Sequence, residues 1–182
     1  MRKVATALFA AAMVLPLALV AAPAGSVESA ASKPACKTLA GSETFSPALP
    51  KLSSPAKVKP TVTIKANLGG CTGAGIVSGA LTARLKFGIA SNCTTLAMGA
   101  STNTRGTATI VWNTKASTTA AVTSRAVAGK PTAQVVAGPV TAGLFKGSRL
   151  SVTTVFVAPK AGCTSSGLAK VTISQATALK IA

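Results

Sequence analysis

A period-two alternation of apolar and polar residues runs through most of this chain and constrains it more than any other feature. Val77, Gly79, Leu81, Ala83, Leu85 and Phe87 are interleaved with Ser78, Ala80, Thr82, Arg84 and Lys86. A helix scatters the first set around its circumference, whereas a strand places all of it on one face. Val62, Ile64, Ala66 and Leu68 alternate in the same way with Thr61, Thr63, Lys65 and Asn67. Ala108, Ile110 and Trp112 alternate with Thr107, Thr109 and Asn113, and Leu150, Val152, Thr154 and Phe156 repeat the pattern. Val171 with Ile173 and Leu179 with Ile181 close the series. Turn-forming residues lie between these runs, at Asn113 to Ala116 and at Lys146-Gly147.

Roughly seven to nine short strands joined by such turns predict an all-β domain. The first choice is an antiparallel β-sandwich of the immunoglobulin-like kind, and the second is a closed β-barrel. Cys93 and Cys163 flank Trp112, but at a separation too wide for the antibody arrangement.

The chain opens with a secretory signal pattern. Met1-Arg2-Lys3 is a short cationic start, Val4 to Val20 is almost wholly apolar, and Ala22-Pro23-Ala24 fits the small-x-small cleavage pattern. The expected organisation is a signal peptide over 1–24, cleaved after Ala24, a leader over 25–35, and one secreted β domain over 36–182. No later segment approaches the length of a membrane-spanning helix.

Four cysteines, Cys36, Cys71, Cys93 and Cys163, agree with export and read as two disulfides. No two stand in a CxxC spacing, so neither a zinc knuckle nor a thioredoxin-type pair is indicated. Strand parity selects the partners. If every strand crosses the body once and reverses, Cys36 and Cys71 fall at one end, while Cys93 and Cys163 fall at the other. A link from Cys71 to Cys93 would have to span the length of a strand, beyond disulfide reach.

Composition then limits the chemistry. The chain has no His, Asp or Tyr, and its two carboxylates, Glu28 and Glu43, face 19 Lys and Arg. Acid–base catalysis by His or a carboxylate pair, Ser-His-Asp triads, paired-carboxylate glycoside hydrolysis and zinc or calcium sites all lack their side chains. The expectation is no enzyme, no cofactor and no metal. Ser54-Pro55-Ala56-Lys57 matches the S-x-x-K pattern of penicillin-binding enzymes, which needs the two residues one helical turn apart. Prolines on both sides oppose a helix there. Gly69, Gly70, Gly73 and Gly75 around Cys71 fit no phosphate-binding fingerprint and read as a tight strand-to-strand loop.

Net charge is +17, and loss of Arg2 and Lys3 with the signal peptide leaves +15. Such a charge attracts anionic envelope polymers and anionic lipids. The densest cationic stretch, Lys51, Lys57 and Lys59 with Lys65, is the candidate anionic-surface contact. With one Trp and no Tyr, sequence-specific nucleic-acid binding is not expected.

The segments Cys36 with Thr44-Phe45-Ser46-Pro47, Gly106 to Asn113 and Gly138 to Gly147 resemble a group of small secreted proteins of actinobacteria. The resemblance implies a secreted, disulfide-bonded β domain and carries no residue-level function. The reading is a secreted, non-enzymatic β protein of the cell envelope or medium that binds anionic surfaces through spread charge. A membrane-active or pore-forming cationic β protein is the alternative, and a Ser–Lys hydrolase the third.

Overall fold

The computed structural model describes residues 32–94, 103–127, 130–157, 163–164 and 166–182. The expected signal peptide over 1–24, the leader up to residue 31 and Glu28 lie outside the described residues. Eight strands follow one another: β1 (Ala35–Leu49), β2 (Thr61–Thr72), β3 (Gly79–Lys86), β4 (Thr104–Trp112), β5 (Ser117–Val127), β6 (Lys130–Gly143), β7 (Arg149–Val157) and β8 (Leu168–Ile181). Each pairs antiparallel with its neighbour in sequence, and β1 also pairs with β8, so the sheet closes into a barrel.

The all-β antiparallel expectation is borne out, in its second form. The barrel replaces the immunoglobulin-like sandwich because Cys36 registers with both Cys71 of β2 and Leu179 of β8. A first strand paired on both edges leaves no free edge along which a second sheet would separate. The closing ladder is interrupted, with register shifts between Cys36 and Gly41 and between Thr44 and Leu49.

Alternation becomes inside and outside. Val62, Ile64, Ala66 and Leu68 of β2 are buried in the interior, as are Leu81, Ala83 and Leu85 of β3 and Ala108, Ile110 and Trp112 of β4. Thr82, Arg84 and Lys86 point outward, with Arg105 and Thr107 beside them. One expectation fails locally. Val77 is 61% exposed while Ile76 is buried, because β3 begins only at Gly79 and the turn before it shifts the phase. Asn113 Oδ1 accepts from the Val77 and Ser78 N–H groups and fixes that turn.

Strong coiling of the strands needs close backbone approach at inward positions, and glycine supplies it. A Cβ on Gly106 would collide with the Arg84 carbonyl, and one on Gly138 with the Ala121 carbonyl. Trp112 fills the interior beside Gly79, its register partner. Its Nε1–H donates to Thr118 Oγ1 at 2.8 Å, and the Thr118 hydroxyl donates to the Leu144 carbonyl at 3.1 Å. The buried indole is thereby satisfied. Phe45 and Phe87 meet edge to face, centroids 6.2 Å apart.

Both expected disulfides form, Cys36–Cys71 and Cys93–Cys163. Cys36 and Cys71 are direct partners in the β1–β2 ladder. Cys93–Cys163 lies at the opposite end, where the connection over 50–60 is tied down. There Cys93 N–H donates to the Pro50 carbonyl, Leu52 N–H donates to the Cys163 carbonyl, and Val58 bridges Ser91. Among the described residues no helix is long and apolar enough to cross a membrane.

Candidate functional site: a cationic outer face

The outer side of β2 to β5 is built by register. Outward positions recur every second residue, so a cation on one strand is set opposite whatever the ladder places beside it. Lys86 of β3 lies directly opposite Arg105 of β4. Arg84, two residues earlier on the same face, is opposite Thr63 on one side and Thr107 on the other. Arg105 is opposite Thr123 of β5, two residues from Arg125. Lys65 is opposite Thr82, two residues from Arg84.

Lys65, Arg84, Lys86, Arg105 and Arg125 therefore form a connected path across four strands. Successive members are related diagonally, along one strand, directly across, and diagonally again. All five are exposed, and threonines occupy the positions between them. Of the four arginines that follow residue 24, three lie on this path, and Arg149 starts β7 elsewhere.

Like charges directly opposite in a ladder repel and destabilise it. No acidic side chain on the described surface offsets them. The two carboxylate side chains of the chain are Glu28, outside the described residues, and Glu43, which is 4% exposed. Every lysine and arginine whose side chain is described is exposed, so the described charged side chains at the surface are all of one sign.

The expected contact residues separate. Lys65 joins the path. Lys59 precedes Pro60, whose carbonyl accepts from Phe87 N–H beside Lys86, so it leads onto the same edge. Lys51 and Lys57 are exposed on the connection across the Cys93–Cys163 end. Sequence proximity had grouped them, whereas the ladder groups residues far apart in the chain. Arg84, Arg105 and Arg125 were visible in the sequence only as scattered cations.

The S-x-x-K segment has no helical turn. It lies in the irregular 50–60 connection, where the Ala56 N–H donates to Ser54 Oγ at 3.2 Å. The arrangement that the motif's chemistry requires is not made there. Of the glycines around Cys71, Gly69 and Gly70 lie in the last residues of β2, and only Gly73 and Gly75 form the strand-to-strand turn, with positive φ at Gly70, Gly73, Ala74 and Gly75.

Inside the barrel, Glu43 of β1 registers with Ile64 and Val171, both buried and apolar. Burial pushes its carboxyl up from 4.5 to about 8, so it is neutral at pH 7. Its Oε2 has no hydrogen-bond partner among the described residues, and the same holds for the inward hydroxyls of Thr104 and Thr154. Ser124 and Gln134, on the neighbouring strands, hydrogen-bond to each other. Comparisons of the chain with protein-family models, curated proteins and solved structures return no match.

Proposed function

We propose that this chain is an exported, non-enzymatic β-barrel that binds anionic material of the cell envelope or medium through its outer surface. The reading rests on one observation: the described surface carries exposed cations and no carboxylate side chain, while the one described carboxyl side chain, Glu43, is withdrawn into the interior. A uniform positive potential draws polyanions at long range. The two disulfides fit an extracellular protein. Export through a signal peptide cleaved after Ala24 is part of the proposal, as is kinship with the actinobacterial secreted proteins.

The face assignment supports binding over pore formation. A membrane barrel needs an apolar outer band and a polar lumen. Here Leu81, Ala83 and Leu85 point inward, while Thr82, Arg84 and Lys86 point outward.

Salt-dependent capture of the mature protein by envelope polymers, anionic vesicles and DNA tests the reading. Binding to one of them that persists at about 0.15 M salt is expected, where charges more than roughly 8 Å apart are already screened. Capture that disappears for all of them at that salt would make the charge a solubility device.

A further inference from the structure

The cations on β2 to β5 differ from the rest in being ordered by the ladder, and their order carries a partner class. We infer that the path Lys65–Arg84–Lys86–Arg105–Arg125 is the docking track for an extended polymer whose charges are phosphates; this rests on the anionic-binding reading above. The track's shape favours a chain over a surface. It runs obliquely across the convex outside of a barrel, so a linear polymer follows it while a flat bilayer meets only part of it.

The neighbouring chemistry points the same way. Bilayer attachment calls for apolar or aromatic anchors beside the cations. Between these cations stand Thr63, Thr82, Thr107 and Thr123; one exposed aliphatic side chain, Ile89, follows Lys86 by three residues, and Val111 lies toward the other end of β4. Stacking on nucleic-acid bases calls for exposed aromatic rings, and Trp112 is 1% exposed inside the barrel.

Arginine prevails over lysine along the track, three to two. A guanidinium presents a planar fork that binds phosphate through two hydrogen bonds, where an ammonium acts as a point charge. Threonine hydroxyls are customary second donors to phosphate oxygens. A phosphodiester group set between a guanidinium on one strand and a threonine on the next finds both. Repulsion between Lys86 and Arg105 is relieved when a phosphate lies between them, so polymer binding should also stabilise the barrel.

The test compares three variants of the full mature protein, each at an exposed position so that the barrel core is untouched. R84Q/R105Q/R125Q strips the track. K115Q/R149Q/K180Q removes the same charge elsewhere. R84K/R105K/R125K keeps the charge and removes the forks. Binding to poly(glycerol phosphate) is measured against salt, beside polygalacturonate of matched length and phosphatidylglycerol vesicles.

The track variant is expected to lose about tenfold or more in affinity, with a log–log salt slope shallower by about 2, using the single-strand value of roughly 0.7 per phosphate. The control variant is expected to lose less than about threefold, and the lysine variant to weaken phosphate-polymer binding selectively. Equal losses in the track and control variants would overturn the track while leaving general anionic binding standing. Preference for polygalacturonate or vesicles would overturn the phosphate assignment. Failure of the wild-type protein to bind any of the three would overturn both readings together.

Discussion

Glu43 is the residue whose position most needs a physical account. A carboxyl buried on β1 in register with apolar Ile64 and Val171 is costly to ionise, so its pKa rises to about 8 and it keeps its proton. The consequence for stability has a definite sign. Below about pH 4.5 both folded and unfolded chains are protonated at this group, and its contribution does not vary. As pH rises from there, the unfolded chain ionises while the folded chain holds the proton, so stability falls by about 1.4 kcal/mol per pH unit. The fall stops once the folded group ionises near 8. Because the chain has no His and no Asp, few other groups titrate in this window. The stability of the whole barrel between acid and neutral pH should therefore follow one side chain. Urea midpoints from pH 4 to 8 should decline steadily in the wild type and stay nearly flat in Glu43→Gln. A flat wild-type profile, or an unchanged slope in the variant, would contradict this account of Glu43.

At the scale of elements, the strands owe their curvature to a few glycines and their ends to the disulfides. Gly138→Ala drives a methyl into the Ala121 backbone of β5, where nothing flexible can yield, and should cost several kcal/mol. Gly75→Ala meets no atom within 4 Å and should cost only the strain of a positive φ, roughly 1–2 kcal/mol. Thermal unfolding of the pair checks the contrast, and equal losses would refute the close-approach explanation. Each disulfide should contribute roughly 3–5 kcal/mol on the chain-entropy model. Cys93–Cys163 spans 70 residues and Cys36–Cys71 spans 35 within an existing ladder, so C93S/C163S should be the more damaging pair in urea titrations. These pairings were legible in the sequence because strand reversal alone decides which end each cysteine reaches. The phase error at Val77 was not, since the turn before β3 is held by the side chain of Asn113, the residue that directly follows β4.

For the whole molecule, alternation revealed the strands but was silent on their order in the sheet and on closure. An inner face of a sandwich and the lining of a barrel have the same period. What separates them is whether β1 finds β8, a pairing between opposite ends of the chain that no local pattern encodes. The candidate site was half-legible for the same reason. Each cation could be read, but Lys86 and Arg105 become neighbours only through the β3–β4 register. On the function proposed above, the barrel works from its charged outside. Backbone-amide NMR of the labelled protein during titration with poly(glycerol phosphate) tests it most directly. Shifts concentrated at Lys65, Arg84, Lys86, Arg105 and Arg125, with the threonines between them, are the predicted result. Shifts centred on inward residues of strands away from the track, such as Glu43, Val152 and Val171, would place the ligand inside the barrel and contradict the account.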